Sequence, residues 1–300
     1  MSQKTLLITG GSGYLGRQLT AKAVDSFRVY TTYTRHPGQI KAGQPLPLDL
    51  TRRDDVLRLV STLSPQAIIH TAAINPGQGD DEMMRQVNAL GSRYVAEAAT
   101  AVGARLVYIS SDMVHDGKNA PYADDALPSP LSGYGRSKAE AEAAVAEIEP
   151  AAAIVRTSLI YGLEEMDRGT KGFVARLRTG QPLVLFSDSI RQPVWVETLA
   201  EALLRLAGPN ADFAGLLNVA GRQALSREEF GRRMLQWWQI DPGELLQSGR
   251  AADISDTIPL DLRLTVTQAE QLLQQELFGV DEILQAQRDL RPSLKPNGQN

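Results

Sequence analysis

Tyr134 and Lys138 lie four residues apart in a segment that follows an apolar run ending in Ser110 and Ser111. Residues at this spacing share one face of a helix. A phenol with a pKa of about 10 transfers protons poorly at neutral pH, but a neighbouring ammonium favours the phenolate and lowers that pKa. The Ser111 hydroxyl would polarise a carbonyl beside Tyr134, and Lys138 would also reach a cofactor ribose. The pattern therefore predicts that Ser111, Tyr134 and Lys138 protonate a carbonyl oxygen as hydride reaches its carbon, although this spacing also occurs by chance in many helices.

A glycine-rich turn over residues 9–16 follows the first apolar run of the chain. Glycine adopts positive φ at no steric cost, and its missing side chain lets a phosphate approach the amides of a helix N-terminus. The spacing fits dinucleotide-binding turns whether it is counted from Gly10 or from Gly11. A tight structural turn is the alternative. We predict a nucleotide cofactor that contacts Gly10, Ser12, Gly13, Tyr14, Leu15 and Gly16.

Apolar runs alternate with amphipathic segments over the first 160 residues or so. Near-continuous apolar strands in a βαβ order are typical of a parallel sheet covered on both faces, and right-handed crossovers make that sheet doubly wound. The predicted fold class is α/β, a doubly wound parallel sheet of the Rossmann type, which binds ligands at the carboxyl ends of its strands. We predict strands over 5–9, 28–34, 67–71, 105–110 and 152–158, with helices that include 82–101 and 136–147.

The alternation weakens after residue 162. We expect a dinucleotide-binding domain over 1–162 and a smaller mixed C-terminal substrate-binding domain over 163–300, with segments near 190–220 returning to the main domain. In this second half we predict helices over 166–182, 227–240 and 266–277, and strands over 183–186 and 216–220.

Composition narrows the partners. The net charge is −4 over 300 residues with no block rich in lysine or arginine, which argues against nucleic acid and anionic membranes and favours a small-molecule substrate. No apolar run approaches the roughly 18 residues of a membrane span, and the first apolar run is too short for a signal peptide, so we expect a cytoplasmic protein. The chain has no cysteine and three widely separated histidines, so we expect no metal site.

The end of the second predicted strand indicates which cofactor is bound. A carboxylate there would accept from the ribose 2′-OH of NAD, whereas a basic residue accommodates the phosphate of NADP. This chain has Arg35 and no acidic residue there, which favours NADP over NAD as the cofactor. The alternative for Arg35 itself is a solvated loop charge that does not bind the cofactor. Residues 48–50 end a further predicted strand, where Asp49 and Leu50 would contact the cofactor. Asp49 would accept from the adenine amino group or, alternatively, cap the helix predicted over 52–61.

Together these segments resemble the extended short-chain dehydrogenase/reductase family, and within it the dTDP-4-dehydrorhamnose reductase branch with the related regulatory subunits of methionine adenosyltransferase. The resemblance runs from Thr5 to about Leu290. It is carried by residues 9–16, 70–73, 110–117, 130–138 and 156–162, by Asn88 and, more loosely, by 259–264.

The resemblance implies roles for further positions. Arg191 would face a substrate phosphate or form a surface salt bridge, and Asn88 would hold a neighbouring helix or a water. Met113 and Leu159 stand where the rhamnose-forming enzymes carry aromatic residues against the sugar, so we expect an altered substrate pocket lined by these two residues. The implied cofactor contacts beyond the glycine turn are Thr71, Ala72, Ala73, Asn88, Ser110, Tyr134, Lys138 and Thr157.

The function that follows is an NADP-dependent oxidoreductase, a reductase that acts on a nucleotide-linked keto-sugar through the Ser-Tyr-Lys triad. The alternatives are a nucleotide-sugar epimerase or dehydratase that retains NAD, and a non-catalytic regulatory subunit that binds NADP. The alanine-rich helices 82–101 and 136–147 would pair two copies, so we expect a homodimer.

Overall fold

Thirteen strands and ten α-helices occur in the computed structural model, which describes residues 3–40, 42–208 and 210–292. The strands are β1 (Thr5–Thr9), β2 (Arg28–Tyr33), β3 (Gln44–Pro47), β4 (Ala67–His70), β5 (Arg105–Ser111), β6 (Ala153–Thr157), β7 (Ile160–Tyr161), β8 (Leu183–Phe186), β9 (Ile190–Arg191), β10 (Val194–Trp195), β11 (Gly215–Val219), β12 (Leu225–Ser226) and β13 (Leu246–Gly249). The helices are α1 (Tyr14–Ala23), α2 (Arg53–Leu63), α3 (Asp81–Met84), α4 (Gly91–Val102), α5 (Gly133–Ile148), α6 (Arg168–Arg178), α7 (Val196–Leu206), α8 (Arg227–Trp237), α9 (Thr267–Leu273) and α10 (Val280–Ala286).

Seven of these strands form one parallel sheet in the order β11-β6-β5-β4-β1-β2-β3. At its centre Leu7 of β1 lies opposite Tyr30 of β2 on one side and Ile68 of β4 on the other. The chain order reverses between β1 and β4, and that crevice is where sheets of this type bind ligands. The predicted doubly wound α/β fold is confirmed.

Helices cover both faces of the sheet. One face carries α2, α4 and α5 over a core that includes Leu7, Ile68 and Tyr108. The opposite face carries α1, α7 and α9 over a core that includes Ile8, Val107 and Leu217. The central strands β1, β4 and β5 are buried on both faces, so the middle of the sheet is closed to water.

The second half of the chain interleaves with the first. α7 packs against α1, β11 pairs with β6 at the sheet edge, and α9 packs on the same layer. A smaller mixed region combines the parallel pair β8–β13 with α6, α8 and α10. A division at residue 162 thus remains a prediction.

Two details differ from the sequence expectations. The helix predicted over 82–101 is three segments, because a π-helical stretch, Arg85–Leu90, separates α3 from α4. α7 was not indicated by the sequence pattern; its apolar residues pack on the face of the sheet that α1 also covers. Within the described residues no helix is long and apolar enough to cross a membrane.

Candidate functional site

The glycine-rich turn joins β1 to α1 at the carboxyl edge of the sheet. Gly10 has φ +73°, and a Cβ there would lie 2.7 Å from the Cα of Ala72. A Cβ at Gly16 would lie 2.2 Å from the carbonyl oxygen of Gly10. The turn and the start of α1 are therefore packed backbone against backbone, which only glycine permits.

The N-terminus of α1 is open to an anion. Its N-cap residue is Gly13, which has no side chain to cap the helix, and no acidic residue stands in the first turn. Among the described residues no side chain caps the first amides of the helix, and the helix dipole favours a negative charge there. This arrangement fits a dinucleotide pyrophosphate.

Three side chains at the start of α1 make contacts away from the glycine-rich turn. The Tyr14 hydroxyl donates to the carbonyl of Glu165, and Leu15 is buried in the core under α1. Arg17, which the sequence analysis did not single out, donates to the Ser12 carbonyl and pairs with the Glu165 carboxylate at 2.7 Å. Tyr14 and Leu15 can therefore contact a phosphate through their backbone amides but not through their side chains.

The ends of β2 and β3 lie at the same edge. Arg35 is exposed just beyond β2, and no carboxylate accompanies it within residues 32–36. Asp49 is also exposed, and its Oδ1 accepts from the amide and hydroxyl of Thr51. The suggestion that Asp49 caps the next helix was wrong, since α2 starts later, with Arg52 at its N-cap, and has no side-chain cap. Leu50 is buried against Gly91 rather than exposed.

The loop after β4 is fixed by hydrogen bonds. Thr71 Oγ1 donates to the Thr9 carbonyl, and the Ala72 amide donates to Thr9 Oγ1, so the loop lies against the glycine turn with Ala73 next in the chain. The fully buried Asn88, in the π-helical stretch, bonds both the amide and the carbonyl of Ile74 and the hydroxyl of Ser137. Asn88 therefore joins this loop to α5.

His70 is structural in its contacts. Its Nδ1 lies 2.6 Å from Thr9 Oγ1 and its Nε2 lies 2.9 Å from Ser92 Oγ. Burial, with a contribution from the charge of Lys138, lowers the His70 pKa to about 3. The ring is therefore neutral at physiological pH and joins β4 to β1 and α4.

The serines at the end of β5 differ in their partners. The Ser110 hydroxyl donates to Glu142 Oε1 at 2.5 Å and is buried. The Ser111 hydroxyl lies 3.2 Å from Asp112 Oδ1, accepts from the Met113 amide, and lies close enough to Tyr134 to lower the pKa of that phenol. Ser111 is therefore the serine that faces Tyr134.

The pKa of Tyr134 is raised to about 12, chiefly by burial. This corrects the expectation that the Lys138 ammonium lowers it. Lys138 Nζ donates to the Ile109 carbonyl at 2.5 Å and lies 4.4 Å from the centre of the Tyr108 ring, and burial lowers its own pKa to about 7. Tyr134 is thus a protonated phenol at neutral pH, able to donate but not to accept a proton.

A buried ion pair borders these residues. Arg191 on β9 donates to Asp112 Oδ1 at 3.0 Å and contacts the Met113 sulfur at 3.2 Å. Arg191 is 8% exposed and Asp112 is fully buried, so the alternative of a surface salt bridge was wrong. Asp112, 79 positions away in the chain, was not expected as its partner.

The remaining predicted positions lie on and after β6. Thr157 is buried, and its hydroxyl has no partner among the described residues. Ser158 Oγ accepts from the Gln192 amide, and half-buried Leu159 packs against the core of the smaller region. Leu159 and Met113 thus belong to different apolar clusters.

Two charged groups near the site were missed from the sequence. Arg156 on β6 is fully buried and pairs with Glu142 of α5, which also holds Ser110. Arg227 begins α8, and its pKa is lowered to about 10 by burial and by the charge of Arg191. A buried arginine inside an apolar strand was a signal for the first, whereas only the tertiary fold reveals the second. The described residues contain no cluster of three metal-binding side chains.

Comparison with known proteins gives a family. The model of the RmlD substrate binding domain family matches residues 4–275, most of the chain. A dTDP-4-dehydrorhamnose reductase of Aggregatibacter actinomycetemcomitans is 31% identical over 206 residues, 67% of this chain and 67% of that protein. A methionine adenosyltransferase 2 subunit beta of Xenopus tropicalis is 34% identical over 254 residues, 80% of this chain and 73% of that protein.

A solved structure shares the fold. The crystal structure of dTDP-4-dehydrorhamnose reductase from Bacillus anthracis, in complex with NADP, superposes with a TM-score of 0.81 at 24% identity, over 95% of this chain and 98% of that chain.

Proposed function

The chain belongs to the RmlD substrate-binding domain family, and we propose that it reduces the keto group of a nucleotide-linked sugar with NADPH. The relatives named dTDP-4-dehydrorhamnose reductase support this substrate class. The observation that carries the proposal is the convergence of Ser111, Tyr134 and the uncapped start of α1 at one edge of the sheet.

We propose Ser111, Tyr134 and Lys138 as the catalytic residues. NADPH, when bound, supplies the hydride that reaches the carbonyl carbon. Ser111 would donate a hydrogen bond to the carbonyl oxygen, and Tyr134 would transfer its phenolic proton to that oxygen as negative charge develops. The high pKa of Tyr134 suits this direction, because the phenol stays protonated until the alkoxide forms.

Lys138 keeps the expected place at the cofactor ribose but does not lower the pKa of Tyr134. With a pKa of about 7 it is partly deprotonated at neutral pH, and its Nζ is held on the Ile109 carbonyl. We propose that it contacts the cofactor ribose and returns a proton toward Tyr134 after each turnover. The cofactor itself would bind through the glycine turn, the Thr71–Ala73 loop and Thr157, with Asn88 holding that loop in place.

We propose NADP rather than NAD because Arg35 is exposed where the extra phosphate would lie and no carboxylate stands beside it. Replacing Arg35 by serine should raise the KM for NADPH by about tenfold or more while changing that for NADH little, since a charged hydrogen bond is worth about 1.5–3 kcal/mol. Arg28, exposed at the opposite end of β2, is the matched control. An unchanged preference in Arg35→Ser would remove Arg35 from the cofactor site.

The decisive assay follows NADPH oxidation by the purified protein with dTDP-4-dehydrorhamnose. Tyr134→Phe should lower kcat by at least about a hundredfold, the usual contribution of a positioned acid, and leave NADPH affinity unchanged. Tyr94→Phe, on α4, is the control. Turnover by Tyr134→Phe at the wild-type rate would disprove the acid role.

The same protein preparation separates the alternatives. The likeness to methionine adenosyltransferase 2 subunit beta supports a regulatory function as a second candidate. NADPH binding without turnover of any keto-sugar would favour that candidate. NAD released from the purified protein on denaturation would instead favour an epimerase or dehydratase.

We also propose a homodimer. A shallow groove between the π-helical stretch, α4 and α5 is lined by Ala89, Leu90, Ala143 and Ala144. Arg93, Glu140 and Glu147 flank these small residues, so two copies could meet with opposite charges facing each other. Light scattering that finds only a monomer at micromolar concentration would refute this proposal.

A further inference from the structure

Arg227 lies beside Arg191 through the short antiparallel pair β9–β12. In this pair Leu225 lies opposite Arg191 and Ser226 lies opposite Ile190. The pairing extends one residue further, because the Arg227 amide donates to the Ser189 carbonyl at 2.8 Å. Arg227 therefore follows the pair by one residue, at the point where β12 passes into α8, close enough to Arg191 for the two charges to interact.

The two arginines differ in what they bind. Arg191 already donates to the Asp112 carboxylate, so its charge is matched inside the protein. The half-buried Arg227 guanidinium has neither a hydrogen-bond nor an ion-pair partner among the residues described. The other acid whose charge acts on Arg227 is Asp167, and both of its oxygens are engaged by Thr170.

Arg227 is not needed to cap the N-terminus of α8. The N-cap residue Ser226 and Glu229 form a complete capping box, so the first turn of the helix is satisfied without Arg227. Arg191 and Asp112, whose charges both act on Arg227, each also have a buried atom without a partner in the described chain, Nε of Arg191 and Oδ2 of Asp112. Polar groups left in this state are costly unless a ligand completes them.

The position relative to the proposed reaction identifies the ligand. Asp112 follows Ser111 directly, and the charges of Arg191 and Arg168 both act on Tyr134. Arg168, Arg191 and Arg227 against Asp112 and Asp167 leave one positive charge in excess beside the carbonyl-reducing groups. An anionic part of the substrate, rather than the sugar ring, is what such a group of arginines would select.

We propose that Arg227 binds a phosphate oxygen of the nucleoside diphosphate carried by the substrate, in the role first expected of Arg191. Arg191 instead fixes Asp112 and Met113 and so positions the end of β5 that carries Ser111. This inference rests on the proposed function, which supplies the nucleotide-linked substrate class.

The test measures binding of dTDP and of inorganic pyrophosphate by calorimetry to the full chain. Arg227→Gln should weaken both by about tenfold to a hundredfold, the effect of losing one charged hydrogen bond, and Arg227→Lys should recover part of the loss. Arg232→Gln is the matched control, since Arg232 lies on the same helix, is exposed and pairs with Glu228 at the surface. NADPH affinity should be equal in all four proteins.

Several outcomes would overturn the inference. Wild-type affinity of Arg227→Gln for both probes would do so, as would an absence of binding of either probe to a wild-type protein that binds NADPH. A wild-type KM of Arg227→Gln for the nucleotide-linked keto-sugar would refute the inference but leave the reductase function intact. Arg227-dependent binding of dTDP by a protein without turnover would support the inference and refute the reductase function.

Discussion

Replacing Arg156 by methionine should destabilise the protein more than any surface charge change. Arg156 is fully buried and donates from Nε and Nη2 to the two oxygens of Glu142, at 3.0 and 2.8 Å. Its Nη1 donates to the carbonyls of Asp124 and Ala126. Methionine fills part of the same volume but leaves the Glu142 carboxylate buried without its cation.

The size of the effect follows from these contacts. Breaking a buried ion pair by removing one partner costs about 3–5 kcal/mol, and the two carbonyls add to this where water cannot replace the arginine. With an unfolding entropy of about 2.1 cal/mol/K per residue, each kcal/mol corresponds to about 1.6 °C in a chain of 300 residues, so the midpoint of thermal unfolding should fall by at least about 5 °C. Removing both charges, in Arg156→Met with Glu142→Leu, should restore more than half of the loss because no charge then stays buried.

Thermal and urea unfolding followed by circular dichroism would measure this. Arg53→Met is the control, because Arg53 pairs with Glu97 at the surface and is 52% exposed, so its loss should cost less than about 1 kcal/mol. If Arg156→Met were no less stable than Arg53→Met, or if the double variant were less stable than Arg156→Met, the reasoning from buried charge would be wrong.

Two further predictions concern the glycine turn and the buried histidine. Gly16→Ala should lower the free energy of unfolding by about 1–3 kcal/mol and weaken NADPH binding at least about tenfold, because its Cβ would lie 2.2 Å from the Gly10 carbonyl oxygen. Gly38→Ala is the control, since a Cβ there meets nothing within 4 Å, and it should change neither quantity. Thermal unfolding measures the stability, and fluorescence titration measures the NADPH affinity. Equal NADPH affinity in the two variants would refute the proposal that the glycine-rich turn binds the cofactor. The pKa of His70 is lowered from 6.5 to about 3 in the folded protein. Between pH 6.5 and pH 3 the imidazole is therefore protonated in the unfolded chain but neutral in the folded protein. The free energy of unfolding should fall as the pH falls through this range. Urea unfolding should show that His70→Asn reduces this pH dependence and that His36→Asn, at an exposed position, keeps it; an equal pH dependence in all three proteins would contradict the neutral buried ring.

The fold was predictable from sequence because its determinants are local. Each central strand is a short apolar run, and the order of strands and helices permits few topologies. The glycine turn was also recognisable, since a backbone that packs as tightly as Gly10 against Ala72 excludes other residue types. The π-helical stretch was not, because its sequence has ordinary helical periodicity.

The electrostatics of the site could not be read in the same way. Helical spacing indicated that Tyr134 and Lys138 share a face, but the pKa of Tyr134 depends on how deeply it is buried and on the lysine preferring the Ile109 carbonyl. The pairing of Arg191 with Asp112 joins residues 79 positions apart. Such contacts arise from the packing of β9 against the end of β5, which no local pattern encodes.

The late position of β11 in the chain has a consequence for how the protein folds during synthesis. β11 completes the sheet beside β6 although about sixty residues separate the two strands, and Asn218 at its end donates to the carbonyls of Tyr122 and Thr265. The seven-stranded sheet therefore lacks an edge strand and part of one helical layer until α9 has left the ribosome. Contacts between such distant segments slow folding, and the bare edge of β6 is then open to pairing with other chains. We therefore expect folding of this protein to depend on chaperones that shield the edge of β6 until β11 has been synthesised.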